Sequence, residues 1–572
     1  MFAGLEEYVF TAGMMVSFVG LIAGIIYGRK HILKAFEQTR VNRSDILLAV
    51  IIALGFIALD IALVRPTQLL FFDDAIYQAM AQSLIHTGQA WMCNYGTQSQ
   101  CFSGQVYHEP IGLAFNIALG FLVHGVNRGS AYGVQIALAA LSVFLVFPVS
   151  LILLNDKRSA YFAELLLALS PVVLVWAMPT NSDMAGLAYS LVAVLMLLIF
   201  ARRRNNATLM NLVLSVAVLM YMKVDYAVYI PLFAVMLVVL YDHRKSGHIV
   251  RLRRIGALIM DFRFLLIILV SVILVYPLIV YAWSEYNTGD YGYAGTQLQL
   301  SCASGYKYVN ATGNINIGNF KANICSSALF WINKYANQDI VQPELYTALA
   351  AIGAIVLFFR QRRALAAILV WFLVIFLLYA AFYAGSPTYG VDWRFQLSLI
   401  AQVAILAGAA LGWIAGKVHS FAHKNRIVLP AIMAAIVIVL AVQTYLIVPI
   451  ISVNPASIQQ AGDARFYENF VYANAANVPN SCIVYTYDPT LFNINGKTAA
   501  QMSNIYNASF YAAAESKYGC AVFDKGYWCS TPNNLCTSAE GTFNMTPIAT
   551  ATYNRTGFTY GLYLISNRTS TS

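Results

Sequence analysis

Apolar runs long enough to cross a bilayer recur along this chain and constrain its fold more than any other feature. A membrane-spanning helix needs about 20 consecutive, mostly apolar residues. Twelve such runs lie at about 8–28, 45–64, 130–154, 159–177, 184–201, 207–222, 226–241, 264–283, 342–359, 364–384, 396–416 and 427–448. A thirteenth, 111–124, is too short to span and reads as re-entrant or interfacial. With 59% hydrophobic and only 10% charged residues, the chain lacks the balance of a water-soluble globule. The expected class is an α-helical polytopic membrane protein with about 12 transmembrane helices.

Lysine and arginine set the expected orientation. The short loops 29–43, 155–158, 202–206, 242–263, 360–363 and 417–426 share one side and hold 22 of the 35 basic residues. Short basic loops stay cytoplasmic, so both termini are expected outside. The net charge of +10 therefore reports membrane orientation. It does not signal nucleic acid, because no basic patch with interleaved aromatics accompanies it. Acids Glu6 and Glu7 precede the first span while Arg29 and Lys30 follow it, the reverse of a signal peptide. Residues 1–44 thus read as an extra N-terminal helix with its cytoplasmic loop. Gly20, Gly24 and Gly28 make a smooth stripe on that helix, suited to close packing within its own bundle or to a homodimer face.

All eight cysteines (Cys93, Cys101, Cys302, Cys325, Cys482, Cys520, Cys529 and Cys536) fall on the expected outer side. An even number on one face points to disulfides in an oxidising space. Sequence neighbours suggest 93–101, 302–325 and 529–536, leaving 482–520, although sequence alone leaves the connectivity open. A metal site has little support, since there is no CxxC pair and no nearby histidine. The loops 65–129 and 284–341 are long and external within a 45–453 transmembrane domain. Residues 454–572 carry no span; a helix near 463–476 and strands at 482–487 and 558–565 predict a small extracytoplasmic α/β domain.

Within the first loop, Phe71-Phe72-Asp73-Asp74-Ala75-Ile76-Tyr77 puts two adjacent acids near the end of a span. Ile76, Met80 and Leu84 fall on one helical face, which predicts a short helix along the membrane surface with Asp73 and Asp74 at its N-terminus. The acids either cap that helix in water or belong to a site, since charge near a bilayer is costly. His108 and Glu109 border the short apolar segment, as interfacial anchors or as site residues. Asp183 opens the fifth span, where Asn181 and Ser182 are also good helix caps. Lys223 and Asp225 sit on a link too brief to be a real loop, and Arg394 precedes the eleventh span beside Trp393.

Taken together, the outer face collects Asp73, Asp74, His108, Glu109, Asp183, Lys223 and Arg394. Carboxylates can deprotonate an acceptor hydroxyl, and arginine and lysine can hold a phosphate. The inventory suits attack by a hydroxyl on a phosphate-activated group delivered from the lipid.

Asp73-Asp74-Ala75-Ile76-Tyr77 resembles the Asp-Glu-x-x-Tyr motif that opens the first external loop of GT-C glycosyltransferases, the group holding the protein O-mannosyltransferases and lipid A aminoarabinose transferases (glycosyltransferase families 39 and 83). Further stretches are similar in order: His108-Glu109-Pro110-Ile111-Gly112 followed by Phe121-Leu122-Val123-His124-Gly125, then Asp183, Lys223 before Tyr226 and Pro231, Asn287-Thr288-Gly289-Asp290, and Arg394-Phe395. The chain departs from the pattern where His108-Glu109-Pro110 replaces a Lys-Pro-Pro segment, where Asp74 replaces Glu, and where Arg128 is the nearest arginine to one expected inside the next span. Oligosaccharyltransferases share the fold class, but their Trp-Trp-Asp motif is absent.

The resemblance implies transfer of a hexose or pentose from a polyprenyl (dolichyl-type) phosphate to an extracytoplasmic hydroxyl on protein, glycan or lipid, with inversion. It implies Asp73 as general base, with Asp74 and Asp183 orienting acceptor and base. Lys223, Arg394 and His108 would hold the lipid phosphate, and Tyr77, Glu109 and Asp225 would line the substrate site. No metal is obligatory on this reading, although Asp73, Asp74 and Asp183 offer oxygens to a divalent cation. A lipid-linked glycan flippase or a glycan ligase is the alternative. Transporters often show internal repeats and charged or broken helices at mid-membrane, whereas no repeat is seen here and the candidate site residues cluster at one face.

Overall fold

The computed structural model describes residues 3–39, 41–64, 73–97, 100–106, 110–240, 269, 272–276, 298–299, 308–309, 344–381, 397–421, 434–435, 438–442, 444–446, 459–529 and 534–567. His108, Glu109, Arg394, Cys302 and Cys325 lie outside these residues, as does Asn287-Thr288-Gly289-Asp290.

Helices α1 (Ala3–Phe36), α2 (Arg43–Leu63), α3 (Asp73–Thr87), α4 (Gly112–His124), α5 (Arg128–Leu154), α6 (Lys157–Ala168), α7 (Pro171–Trp176), α8 (Ser182–Arg202), α9 (Asn206–Met222) and α10 (Tyr229–Leu240) form the first part of the chain. α11 (Glu344–Arg360), α12 (Arg362–Ala381) and α13 (Leu397–Phe421) follow. Among the described residues, five helices are long and apolar enough to cross a membrane: Val9–Phe36, Arg43–Leu63, Arg128–Leu154, Ser182–Arg202 and Leu397–Val418. These coincide with five of the twelve expected spans. The expected span 159–177 is instead two helices, α6 and α7, because Pro171 has no N–H to continue the ladder and disfavours helical geometry at Ser170. The short apolar segment is α4, whose 13 residues reach only about 20 Å, less than the hydrocarbon thickness.

Small residues let the helices meet backbone to backbone. A Cβ on Gly24 would stand 2.2 Å from Asn211 Oδ1 and one on Gly20 3.3 Å from Leu214 Cδ2. The α1 glycine stripe therefore packs on α9 of the same chain and is not an open dimer face. At Gly112, the start of α4, a Cβ would stand 2.4 Å from the Tyr221 carbonyl oxygen, which is backbone and cannot swing away. Gly112→Ala is expected to destabilise the protein by about 1–3 kcal/mol through this overpacking. Thermal unfolding of the purified variant in detergent checks it.

The second layer is a seven-stranded sheet in the order β2-β1-β6-β5-β7-β9-β8, made of β1 (Trp91–Thr97), β2 (Gln100–Val106), β5 (Cys482–Thr486), β6 (Thr498–Gln501), β7 (Cys520–Lys525), β8 (Phe543–Thr552) and β9 (Thr559–Asn567). A separate two-residue ladder pairs β3 (Leu298–Gln299) with β4 (Tyr308–Val309). β6, β5 and β7 run parallel. The hairpin of the first loop joins them through Tyr95↔Ala500 and Gly96↔Ala499. Asn493 Nδ2 adds a hydrogen bond to the Cys93 carbonyl at 2.9 Å. The sheet thus draws strands from segments some 400 residues apart. Disulfides join Cys93–Cys101, Cys482–Cys520 and Cys529–Cys536.

α3 lies between the two layers. Ile76, Tyr77 and Met80 belong to the core of the bundle, while Ala75 belongs to the core under the sheet. The helix expected along the membrane surface is therefore covered on both sides, because the sheet buries the face that would otherwise meet water.

Two acids sit where β5 and β7 end. Asp488 and Asp524 are buried, and burial raises their carboxyls to about 6 and about 7 against hydrogen bonds that lower them. Tyr467 and Thr486 both donate to Asp524 Oδ2. A carboxyl raised above its unfolded value of 3.8 holds its proton longer in the folded state. Its contribution to stability is complete below the unfolded value and is lost as pH rises through about 6 and about 7. The midpoint for opening this sheet is thus expected to fall from mildly acidic to mildly alkaline pH, and Asp488→Asn with Asp524→Asn should flatten the slope. Hydrogen exchange of the β5 and β7 amides across that range measures it.

Candidate active site

The site is built on the turn between α7 and α8. Asn181 caps α8, its Oδ1 accepting from the Met184 N–H at 2.8 Å, while its Nδ2 donates to the carbonyls of Trp176 (3.1 Å) and Pro179 (2.6 Å). Gln135 Nε2 of α5 donates to the Asn181 carbonyl at 3.0 Å. These bonds leave Thr180 and Asp183 little freedom. Thr180 Oγ1 donates to the Asp74 carbonyl at 3.1 Å and to Asp74 Oδ1. One hydroxyl therefore ties the Asp-Asp motif to the turn that carries Asp183.

Asp183 lies in the first turn of α8, where the dipole favours an anion. Lys223 ends α9 and donates through Nζ to Asp183 Oδ1 at 3.0 Å, with Asp225 Oδ2 at 3.9 Å. Lys223 is 7% exposed and Asp183 fully buried. Close approach of the Lys223 link is permitted by Gly186, where a Cβ would meet the Tyr226 hydroxyl at 1.9 Å.

Arg128, at the start of α5, faces the helix α14 (Gln459–Asn474) of the sheet layer. Its Nη1 donates to Asn469 Oδ1 at 3.2 Å, its Nε to the Tyr132 hydroxyl, and its guanidinium lies 4.4 Å from the centre of the Tyr472 ring. Beside it Glu468 is buried, and Asp74 lies within electrostatic reach of both Glu468 and Tyr132. Burial pushes the Glu468 carboxyl well above the usual range, Asp74 and Asp488 push it further, and Arg128 opposes them.

Among the expected site residues, then, the structure brings Asp74, Asp183, Lys223 and Asp225 together. Tyr77 is buried in the bundle core one turn along α3. Asp73 begins α3, but its side chain lies outside the description, as do His108, Glu109 and Arg394. Thr180, Glu468, Asn469 and Tyr472 were not expected. The one local signal for Glu468 is an acid set among Tyr467, Phe470 and Val471 on the buried face of a helix. Asp74 and Asp183 each already commit an oxygen, to Thr180 and to Lys223. Among the described residues no group of three His, Cys, Asp or Glu is arranged to hold a metal ion.

Residues 108–281, which carry Arg128, Thr180, Asp183, Lys223 and Asp225, match the model of the dolichyl-phosphate-mannose-protein mannosyltransferase family. No curated protein matches the chain. ArnT from Cupriavidus metallidurans bound to undecaprenyl phosphate is a similar solved structure, with a TM-score of 0.52 and 14% identity over 93% of this chain and 99% of that one. The archaeal oligosaccharyltransferase AglB from Archaeoglobus fulgidus, in complex with an inhibitory peptide and a dolichol-phosphate, gives a TM-score of 0.51 and 13% identity over 90% of this chain and 74% of that one. At such identities the likeness is one of fold. The chain thus has the fold of the GT-C membrane glycosyltransferases, and within it residues 108–281 carry the sequence pattern of the dolichyl-phosphate-mannose-protein mannosyltransferase family.

Proposed function

We propose that this protein is an integral-membrane glycosyltransferase that moves a sugar from a polyprenyl phosphate to a hydroxyl of an extracytoplasmic acceptor. The observation that carries the reading is the tie between Asp74 and Thr180, three residues before the Asp183–Lys223 pair. It gathers carboxylates and a cation from three helices around one turn, as a reaction that removes a proton and releases a phosphate requires.

In this reading the acceptor hydroxyl oxygen attacks the anomeric carbon from the face opposite the phosphate. The carbon–oxygen bond to phosphate breaks, the lipid phosphate leaves with the electron pair, and the hydroxyl proton passes to Asp73. The configuration inverts. Asp74 and Asp183 orient base and acceptor. Lys223, which pairs with Asp183, supplies the positive charge beside which a phosphate oxygen would sit. Arg394 and His108 are the further candidates for that phosphate, and Tyr77, Glu109 and Asp225 for the sugar or acceptor. α14 brings Glu468, Asn469 and Tyr472 against Arg128, which gives the sheet layer a part in shaping the site. The site and sheet layer lie outside the cell membrane in this reading.

The test is a liposome assay with radiolabelled polyprenyl-phosphate sugars and cell-envelope acceptor. Label moved to acceptor, with one polyprenyl phosphate released per sugar, supports transfer. Label that crosses the bilayer still attached to its lipid identifies a flippase and sinks the proposal.

A further inference from the structure

At the other end of the bundle the structure holds a second cluster of polar groups. α8 runs from Asp183 to Arg202, and Arg202 Nη2 donates to the Ile152 carbonyl at 2.5 Å. Two residues on, Leu154 lines a cavity of about 340 Å³ between the start of α6 and the ends of α11 and α13. Among the described residues Arg158, Arg360 and Lys417 line it, against a single acid, Asp156. That acid is occupied as the cap of α6, its Oδ2 accepting from the Ser159 N–H at 3.0 Å and from Ser159 Oγ at 2.6 Å. Gln361 is likewise turned to backbone, donating to the Leu154 carbonyl at 2.7 Å. The described residues that line the cavity thus carry a net positive charge.

The walls are rigid. A Cβ on Gly412 of α13 would stand 2.2 Å from Ser159 Oγ, and one on Gly408 2.6 Å from the Ser159 carbonyl oxygen. A Cβ on Gly353 of α11 would stand 1.8 Å from the Leu406 carbonyl oxygen. Three helices are thus locked backbone to backbone, so the cavity exists before any ligand arrives. Its rim is apolar: Val356, Leu357 and the half-buried Trp413 line it, and Phe358 and Phe359 beside Arg360 are exposed. Tryptophan and exposed aromatics next to arginine mark the level of lipid headgroups. A free anion would need no such rim.

We propose that this cavity binds the phosphodiester headgroup of an anionic glycerophospholipid, with Arg158, Arg360 and Lys417 around the phosphate and the acyl chains leaving past Phe358 and Phe359. Basic pockets between helix ends take such headgroups. The inference rests on the chain's place in a membrane and not on its reaction.

The test titrates phosphatidylglycerol into phosphatidylcholine nanodiscs holding the full chain and reads bound lipid by native mass spectrometry. Arg158→Gln, Arg360→Gln and Lys417→Gln together should weaken binding by about a hundredfold. Gly416→Leu keeps every charge but fills the cavity, and it has room to fold, since a Cβ there meets nothing nearer than Arg158 Nη1 at 3.5 Å. It too should weaken binding. Arg29→Gln with Lys30→Gln, on exposed α1 at the same end, should change nothing. Binding that survives Gly416→Leu, or falls equally with the Arg29 and Lys30 changes, means diffuse surface charge and overturns the site. Displacement of the lipid by millimolar inorganic phosphate assigns the cavity to a soluble anion and overturns the lipid.

Discussion

Asp73→Asn is expected to lower sugar transfer by about 10²–10⁴-fold, the usual contribution of a positioned general base. Asparagine keeps the size and shape of the side chain but removes its basicity. The folded state should barely notice. Asp73 opens α3, where a carboxylate at the helix start contributes about 0.3–1 kcal/mol. Asparagine caps a helix about as well as aspartate. The expected rate loss corresponds to about 3–5 kcal/mol in the barrier, well above the stability term. The unfolding midpoint and the transfer rate of one preparation therefore separate the two roles. A rate unchanged in Asp73→Asn would return Asp73 to a helix cap and leave Asp74, already bound by Thr180, without a base to orient.

Lys223→Ala is expected to destabilise the protein by about 3–5 kcal/mol, because it strands a buried charge. Asp183 is fully buried and Lys223 lies 3.0 Å from it, whereas Asp225 stands farther away at 3.9 Å. A buried pair is not in itself stabilising, since desolvation offsets most of the attraction. Removing both charges, in Asp183→Asn with Lys223→Met, should thus restore much of the stability that the single change loses. Transfer should stay lost in the double variant if Lys223 holds the lipid phosphate. Denaturant unfolding and the liposome assay on the same three proteins check this. Recovery of transfer along with stability would make the pair purely structural.

Both residues of that pair were legible at the level of chain position. Asp183 after a span and Lys223 on a short link are marked by hydropathy alone, since charge at a span boundary stands out against apolar neighbours. That they meet each other across 40 residues is a fact of packing, and it depends on Gly186 admitting Tyr226. Three of the four suggested cysteine pairs are present, because neighbours in sequence are close in space and the remaining pair follows. The fourth lies outside the described residues. The α3 helix itself follows from its four-residue rhythm. Its burial does not, because most of the covering sheet, β5 to β9, comes about 400 residues or more later in the chain.

The sequence by itself determined the membrane character of the chain, the helical rhythm of its segments and the positions at which charge interrupts them. Those properties are local: hydropathy and periodicity act over a turn or a span. Only the tertiary structure decided that the first-loop hairpin completes the sheet of the C-terminal segment. It alone placed Arg128 against Asn469 and Tyr472, and set Glu468 within reach of Asp74. No local pattern encodes such pairings. They arise because the buried face of α3 must be covered and a half-buried guanidinium must find partners, and both needs are met by residues distant in the chain.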